Sequence, residues 1–281
     1  MSPEQIRRWR PTRFDHFIGE KNRAVIRRLQ GAVLRKRIPS PLLFIAPFGY
    51  GKTSLVRLVM TAINCSRADP RTGDPCMVCE QCRCSGMIHN GQGSPYMRLE
   101  LDCTQLGRKE VVGVTQDYFF KRDVALFFDE FHHLNERNSQ EALLKFFEDY
   151  RGLAFAAVMQ DRYKELIPPL RERFVEIWLS PPTEDDLARF LVEQCAGEWR
   201  IDAPENLIRM MVRSSGLSFR LSLKILAAAA ENEPRRLSLE TLEEFLTVDL
   251  DAAPLDPPSA PDSAEDGPHE QWDGEDGPFM T

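Results

Sequence analysis

A loop of eight residues, from Ala46 to Thr53, joins an apolar run at 42–45 to a helix-patterned run at 54–63. Glycine lets such a loop turn its backbone N–H groups toward phosphate oxygens, and the helix N-terminus adds partial positive charge. We expect Lys52 to reach the β- and γ-phosphates of a nucleotide and the Thr53 hydroxyl to ligate Mg²⁺. The nucleotide-binding residues predicted from this loop are Ala46, Gly49, Tyr50, Gly51, Lys52, Thr53 and Ser54. The alternative, a glycine-containing turn that happens to precede a helix, does not explain why both flanks match.

A second candidate segment begins at a buried strand pattern, 124–129, and ends in adjacent carboxylates. Asp129 is expected to hold Mg²⁺ through water, and Glu130 to orient and activate the water that attacks the phosphate. An apolar run that ends in Asp-Glu is common on its own. Its position 77 residues after Lys52, with a strand–helix unit between, favours a catalytic pair of Lys52 and Glu130.

Five of the seven cysteines lie between positions 65 and 84, with Cys-x-x-Cys spacing. Four thiolates satisfy tetrahedral Zn²⁺ and leave no open coordination position, so the predicted metal is structural. The predicted ligands are Cys65, Cys76, Cys79 and Cys82, with Cys84 as the alternative to Cys82. A redox or disulfide role is the competing interpretation, and spacing of this kind beside a phosphate loop favours metal.

Length and composition restrict the class of protein. The 281 residues suffice for one large domain or two modest ones. No apolar stretch approaches the roughly 18 residues of a membrane span, and no signal-peptide pattern opens the sequence, so we expect a cytoplasmic protein with no membrane contact. The net charge of −7 is unevenly placed, because 13 of 43 acidic residues and no Lys or Arg follow Arg236. Residues 1–236 are therefore net positive, which is compatible with a polyanionic partner.

Strand and helix patterns alternate along the first 180 residues. The strands predicted from apolar runs are 42–46, 96–102, 124–129, 153–159 and 174–179, and the helices between and before them are 21–37, 54–63, 109–119 and 139–150. Such alternation predicts a parallel sheet with helices on both faces. After residue 183 only helical patterns follow, with Thr183 as an N-cap, at 184–195, 204–214, 218–231 and 238–246. We predict a nucleotide-binding domain over 1–180 with a zinc module at about 65–84, a helical lid over 181–248, and a disordered acidic tail over 249–281.

These segments together resemble the clamp-loader branch of the AAA+ ATPases, and most closely the bacterial DNA polymerase III gamma/tau family. The likeness covers about residues 9–246 and includes the phosphate loop, the cysteine spacing, Trp9-Arg-Pro11, Phe14-Asp-His-Phe-Ile-Gly19, Asp129-Glu-Phe-His-His-Leu134 and Glu141-Ala-Leu-Leu-Lys145. The resemblance implies an AAA+ P-loop fold with ATP, Mg²⁺ and Zn²⁺ as bound groups. It also implies that Arg10, Pro11, Ile18 and Gly19 line the adenine pocket.

Three further positions take their roles from the same resemblance. Arg173 stands where clamp loaders carry an arginine finger for a neighbouring subunit's γ-phosphate, although Glu172 and Phe174 replace the usual flanking Ser and Cys. Arg220, in Gly216-Leu-Ser-Phe-Arg220, is similar to the second sensor, which contacts the nucleotide from the lid. The first sensor falls at Gln160 or Asp161, where the family usually has Asn or Thr.

The leading functional hypothesis is an ATP-binding and hydrolysing clamp-loader-like subunit. It couples ATP state to a sliding clamp and to primer-template DNA, bound without sequence preference, together with other clamp-loader-type subunits in replication or repair. The alternatives are a non-hydrolysing structural subunit that binds ATP, and an AAA+ remodeller of another branch, such as a helicase loader or Holliday-junction motor. The family adds a helical collar after the lid, whereas an acidic segment stands here, so we expect oligomerisation to depend on a partner.

Overall fold

The computed structural model describes residues 10–83, 96–105, 108–134, 137–231 and 235–250. Cys84 and positions 251–281 of the predicted tail lie outside them. The described strands are β1 Leu42–Ala46, β2 Met97–Asp102, β3 Val124–Asp129, β4 Leu153–Met159 and β5 Val175–Trp178. They form one sheet in the order β2-β3-β4-β1-β5, and every pair in it is parallel. The predicted α/β fold with a parallel sheet is therefore confirmed.

Burial on both faces explains why the central strands are continuous apolar runs. All five residues of β1 are buried. Successive side chains point to opposite faces of a strand, so Phe44 packs into one hydrophobic cluster with Phe127 and Phe155, while Leu43 and Ile45 pack into the other. The edge strands β2 and β5 are partly exposed, because each has a neighbour on one side only.

Helices cover the two faces of the sheet. They are α1 Glu20–Leu34, α2 Lys52–Asn64, α3 Arg108–Tyr118 and α4 Arg137–Asp149, with short helical turns at Glu80–Arg83 and Pro168–Arg171. Helices α1 and α2 bury apolar side chains in the cluster that contains Phe44, and α4 buries Phe146 and Phe147 in the opposite cluster. Both faces of the sheet are thus sealed by amphipathic helices.

Two helix boundaries differ from the sequence prediction for reasons of backbone geometry. Helix α2 begins two residues early, at Lys52, because Gly51 takes a left-handed conformation and ends the loop. Helix α1 ends at Leu34 instead of residue 37, because Lys36 is left-handed and Arg37 N–H donates to Ala32 O at 3.0 Å. This is a Schellman termination, in which lysine occupies the position that glycine usually takes.

After residue 183 the described chain is helical. The helices are α5 Glu184–Gln194, α6 Glu205–Ser214, α7 Phe219–Glu231 and α8 Leu239–Leu250, with a π-helical segment at Cys195–Trp199. The predicted N-cap is confirmed, since Asp186 N–H donates to Thr183 Oγ1 at 3.1 Å. Helix α8 extends beyond the predicted end at 246, so the first two positions of the predicted tail, 249 and 250, are helical. No helix in the described residues is both long and apolar enough to cross a bilayer.

Contacts join these helices to the sheet near the phosphate loop. Ile18 packs against the hydrophobic cluster of α5 to α7. Asn22 of α1 accepts from Ser180 N at 2.8 Å and donates to Ser180 O at 2.9 Å, which holds the chain where it leaves the sheet. Tyr50 Oη lies 3.5 Å from Gly216 O at the end of α6. Three separate contacts therefore position the later helices over one edge of the sheet.

Substitutions at two glycines differ in the space that a new side chain would meet. A Cβ on Gly152 would lie 2.4 Å from Tyr150 Oη and 2.5 Å from Val124 O, whereas a Cβ on Gly113 in α3 would meet nothing within 4 Å. We expect Gly152→Ala to lower the free energy of unfolding by about 1–3 kcal/mol through overpacking. Gly113→Ala should raise it by up to about 1 kcal/mol through helix propensity. Urea denaturation of both variants measures this, and equal effects would contradict the described packing.

Candidate nucleotide site

The phosphate loop follows β1, so it lies at the carboxyl edge of the sheet, where ligands bind in open parallel sheets. Gly49 and Gly51 both have φ of +84°, a conformation that side chains disfavour. A Cβ on Gly51 would also lie 3.1 Å from Phe17 Cε1. Ala46 ends β1 and is fully buried, and Ser54 lies half-buried in the first turn of α2. The loop therefore has the backbone shape that phosphate binding requires.

Lys52 is the first residue of α2 and is 6% exposed. Its Nζ donates to Ala46 O and Pro47 O, each at 3.1 Å. Burial lowers the pKa of this ammonium, and the nearby carboxylates of Glu130, Asp129 and Asp161 oppose that shift. The side chain is thus folded back onto its own loop by two neutral acceptors. An incoming phosphate would offer the ammonium a charged acceptor in their place.

Thr53 and Asp129 bring two oxygen atoms together across the sheet edge. Thr53 Oγ1 donates to Asp129 Oδ1 at 3.0 Å. Burial raises the pKa of Asp129, and the hydrogen bond from Thr53 only partly offsets this. A buried carboxylate beside a hydroxyl supplies two hard oxygen ligands. This donor set fits Mg²⁺.

Glu130 follows at the end of β3 in a strained backbone. Its φ of 50° and ψ of 43° are left-handed, and its N–H donates to Asp129 Oδ1 at 3.1 Å. Glu130 Oε2 lies 3.5 Å from Nε2 of His132, whose side chain is 1% exposed. Left-handed non-glycine residues are costly and cluster at functional sites. The Glu130 carboxylate thus has a buried imidazole as its neighbour, whereas that of Asp129 has the Thr53 hydroxyl.

Both candidate sensors lie near the phosphate loop. Gln160 N–H donates to Ala46 O at 3.0 Å, so the end of β4 is tied to the phosphate loop. Asp161 and Arg220 are both near enough to shift the pKa of Lys52, in opposite directions. Arg220 is the second residue of α7, and its guanidinium carbon lies 4.9 Å from the centre of the Phe48 ring. A cation from the later helices therefore faces the phosphate loop.

A cavity of about 440 Å³, counting its open mouth, adjoins the loop on the side of α1 and α7. It is lined by Pro11, His16, Phe17, Ile18, Asn22, Tyr50, Gly51, Leu179, Ser180, Pro182 and Phe219. Two predicted adenine-pocket residues, Pro11 and Ile18, are among them. Gly19 lies next to a residue that lines the cavity, because a Cβ on Gly19 would be 3.4 Å from Pro182 Cα. Arg10 is exposed at the start of the described chain. The cavity is mostly apolar with a few polar groups, as expected of a base-binding pocket.

The sequence did not single out several residues that form this cavity. Asn22 falls within the predicted helix 21–37, and it is 6% exposed and fixes the backbone at Ser180. A polar residue on the apolar face of α1 is the signal that could have found it. Phe219 and Pro182 come from segments distant in sequence. No local pattern places them beside Phe17.

Arg173 lies at the opposite edge of the sheet from the phosphate loop. It lies two residues before β5, whose first residue, Val175, donates its N–H to Pro41 O at 2.9 Å, and Pro41 precedes β1. The five residues of β1 separate this edge from the loop, a distance of about 16 Å at the usual rise. Arg173 Nη2 forms an ion pair with Glu148 Oε2 at 3.0 Å. Arg173 is therefore not part of its own chain's phosphate site.

The four predicted zinc ligands converge on one point. The ligand atoms of Cys65, Cys76, Cys79 and Cys82 all lie within 4.8 Å of one another. Cys65 Sγ and Cys79 Sγ are 3.8 Å apart, which matches the separation of about 3.8 Å for two sulfurs on tetrahedral Zn²⁺. The six cysteines of the described chain are free thiols. The disulfide alternative is not what the structure shows.

Backbone donors surround these sulfurs. Cys65 Sγ accepts from Arg67 N at 3.4 Å and from Cys76 N at 3.3 Å. Burial opposes ionisation of Cys79, but donors from Cys82 and the Ser66 backbone outweigh it and lower its pKa to about 6. Such donors stabilise thiolates and orient them for a metal. Cys103 and Cys195, which lie outside the cluster, are core residues that are 2% and 1% exposed.

Comparison with known proteins defines the class. Residues 42–181 match the family described as "ATPase family associated with various cellular activities (AAA)". The match begins at β1 and includes the phosphate loop, Asp129, Glu130 and Arg173. Residues 42–181 belong to the AAA family of ATPases.

Individual relatives refine this placement. The chain is 33% identical over 92 residues to DNA polymerase III subunit tau of Bacillus subtilis, covering 33% of this chain and 15% of that protein. It is 26% identical over 257 residues to the tau subunit of Escherichia coli, covering 88% of this chain and 38% of that one. The chain thus spans less than two fifths of the length of these relatives, and it is similar to them over that part.

Solved structures agree on the fold. The RuvB Holliday junction branch migration motor of Thermotoga maritima superposes with a TM-score of 0.55 at 19% identity, covering 85% of this chain and 72% of that one. At this identity the likeness concerns the fold, and it confirms a P-loop sheet followed by helices.

The buried histidine beside Glu130 predicts a pH effect on stability. Burial, with the positive charges nearby, lowers the pKa of His132 from 6.5 to about 4. The unfolded chain therefore binds more protons than the folded one between those values, so the free energy of unfolding falls as pH drops from 6.5 toward 4. We expect His132→Phe to flatten this part of the stability curve. Denaturation of both proteins at pH 7, 5.5 and 4.5 measures it, and parallel curves would contradict a neutral His132.

Proposed function

We propose that this chain is an ATP-binding and ATP-hydrolysing subunit of a clamp-loader type, acting in the cytoplasm on DNA during replication or repair. The observation that supports it most directly is the convergence of Lys52, Thr53, Asp129 and Glu130 at one sheet edge. The Thr53–Asp129 hydrogen bond of 3.0 Å joins the two segments, although 76 residues separate them in sequence. The relatives described above are tau subunits of DNA polymerase III, which supports the proposal that this chain acts on DNA.

The proposed chemistry assigns one role to each group. The left-handed loop turns N–H groups to the phosphates, and Lys52 exchanges its two carbonyl acceptors for phosphate oxygens. Mg²⁺, when bound by Thr53 and Asp129, neutralises charge on the phosphates. Glu130 accepts a hydrogen bond from the attacking water and orients it in line with the terminal phosphate.

The later helices act as a lid in this proposal, and the division of the chain at residue 180 stays a prediction. The adenine ring occupies the cavity between Pro11, Ile18 and Phe219. Arg220 reaches the phosphates from α7, beside Phe48 and within electrostatic range of Lys52. Because the base would contact Ile18 and Phe219 of α7 together, and Arg220 would reach the phosphates from the same helix, nucleotide binding would fix the angle between the sheet and the later helices. This angle is what a clamp or DNA partner would sense.

Arg173 is proposed to complete the site of a neighbouring subunit. Its position at the opposite sheet edge argues against a role in its own site, and its side chain is 28% exposed. Partner subunits, a sliding clamp and primer-template DNA are the proposed assembly. The ion pair with Glu148 would be exchanged for the γ-phosphate when subunits meet.

The cysteine cluster is proposed to bind one structural Zn²⁺. Four thiols with the right sulfur separation and inward N–H donors fit this ion, and the segment around them has few apolar residues. Metal binding would supply about 10–16 kcal/mol toward folding of this segment.

Substitutions at the phosphate loop and at Glu130 separate binding from hydrolysis. Lys52→Ala removes a charged hydrogen bond worth about 1.5–3 kcal/mol, so we expect ATP affinity to fall about 10–100-fold. Glu130→Gln should keep ATP affinity but slow hydrolysis by about 10²–10⁴-fold. Fluorescent-nucleotide titration and phosphate release measure the two effects. Wild-type binding without any turnover would instead favour the non-hydrolysing structural subunit.

The trans role of Arg173 has its own test. Arg173→Ala should lower turnover of the assembled form by up to about 10³–10⁵-fold and leave ATP affinity of the isolated chain unchanged. Glu148→Ala is the matched control, because it removes the partner carboxylate and frees the guanidinium. Turnover that is equally low in both variants would show that only the intrachain ion pair matters.

Zinc content distinguishes a metal site from a cluster of thiols. We expect one zinc per chain in the wild type and none in Cys76→Ser, with a lower melting temperature. Cys103→Ser changes a buried cysteine outside the cluster and should retain the metal. Elemental analysis with thermal melting measures both, and a zinc-free wild type purified without chelator would overturn the assignment.

A Holliday-junction motor is the second candidate, because the RuvB fold covers 85% of this chain. ATP-dependent branch migration of a four-way junction, without stimulation by a clamp or primed DNA, would support it.

A further inference from the structure

Helix α1 and its terminating turn carry an unusual number of basic side chains on the surface. Seven are exposed, namely Lys21, Arg23, Arg27, Arg28, Arg35, Lys36 and Arg37. Glu20 is the one acidic residue of α1, and it pairs with Arg23 at 2.9 Å. Among the described residues, no ion pair forms with the other six. These seven basic residues are called the basic face below.

The helical spacing places three residues of this face in one row along the helix. Residues seven apart lie almost in line on a helix and about 10 Å apart. Lys21, Arg28 and Arg35 therefore form one row, and Arg27 lies across the exposed strip from it. The strip between contains Ala24 and Gly31, which are small. A Cβ on Gly31 would be 3.1 Å from Arg35 Nη1, so the guanidinium lies flat against the helix there.

Helix stability does not account for this arrangement. Basic residues near a helix C-terminus interact favourably with its dipole, which explains Arg35, Lys36 and Arg37. Lys21, in the first turn, is at the unfavourable end, and Arg27 and Arg28 are too far from either end to benefit. Like charges at i and i+4, as in Arg23 and Arg27, destabilise a helix by a few tenths of a kcal/mol.

Three arginines of the later helices are different. Arg209 pairs with Asp185 and Glu205, at 2.6 and 3.0 Å. Arg213 pairs with Glu184 at 2.7 Å, and Arg236 with Asp202 at 3.2 Å. Carboxylates compensate these three arginines, whereas six of the seven residues of the basic face have no such partner among the described residues.

We infer that the basic face binds the sugar-phosphate backbone of nucleic acid, and this inference rests on the proposed function. Guanidinium groups bind phosphate through two parallel hydrogen bonds. The exposed strip of α1 has no aromatic side chain on which a base could stack. Recognition is therefore of phosphate spacing and charge, without sequence preference. Helix α1 has 15 residues, about 22 Å, which spans roughly six base-pair steps.

Salt-dependent DNA binding tests the inference. The variant Lys21→Gln/Arg28→Gln/Arg35→Gln removes one row of the face without touching its buried side. The control Arg209→Gln/Arg213→Gln/Arg236→Gln removes the same charge from α6 and the segment before α8. Fluorescence anisotropy with labelled single-stranded, duplex and primed DNA is measured between 50 and 200 mM salt. Melting temperature, zinc content and ATP affinity are followed for each protein.

We expect the α1 variant to bind every DNA form at least about tenfold more weakly at 100 mM salt, and its slope of log K against log salt on duplex to fall by about 2–3. The control should stay within about threefold of the wild type, and all three proteins should hydrolyse ATP alike without DNA. Equal weakening in variant and control would overturn the inference, because net charge alone would explain it.

Failure of the inference and failure of the proposed function are distinguishable. If the wild type binds DNA and the α1 variant binds equally well, the basic face is not the site, while the proposed function stands. A second outcome is that the wild type hydrolyses ATP but binds no DNA. If a synthetic peptide of residues 251–281 then binds to the wild type and does not bind to the α1 variant, an acidic polypeptide occupies the basic face and the inference is wrong. Loss of ATP turnover in the wild type would instead remove the proposed function itself.

Discussion

The structure depends on a buried positive charge at the carboxyl edge of the sheet. Lys52 is nearly inaccessible, and its ammonium is held by the carbonyls of Ala46 and Pro47. Burying an ammonium is costly unless it is hydrogen-bonded and faces negative charge. The left-handed glycines shape the loop that offers those carbonyls, and β3 brings Asp129 and Glu130 to the same edge. The order of strands and the loop conformation together make this charge tolerable, and a triphosphate would compensate it further.

The two adjacent carboxylates have different partners. Asp129 accepts a hydrogen bond from Thr53 Oγ1, and burial raises its pKa. Glu130 follows in a left-handed backbone, and its Oε2 lies 3.5 Å from Nε2 of the buried His132. Two neighbouring residues of the sequence thus stand in two different environments, one beside the hydroxyl of the phosphate loop and one beside an imidazole.

Much of this could be predicted from sequence, for a physical reason. The bounds of β1, β3 and β4 follow from their apolar runs, since strands buried on both faces contain few polar residues. The phosphate loop and the cysteine cluster are set by residue spacing over short distances. The strand order could not be predicted in this way, because β1 pairs with β4 and β5 through contacts between segments that are distant in sequence. The same holds for Asn22 at Ser180 and for Phe219 in the cavity, where distant segments meet.

The location of Arg173 has a geometric consequence for any assembly that uses it. The phosphate loop follows the end of β1, whereas Arg173 lies two residues before Val175, which is bonded to the residue that precedes that strand. A contact in which this arginine reaches the next molecule's loop can join two unlike surfaces head to tail. Molecules joined in this way have a direction, and they either close into a cycle or continue as a helical filament. The first or last member of any open arc would keep one phosphate loop without a visiting arginine, and such a subunit would bind nucleotide yet turn it over slowly.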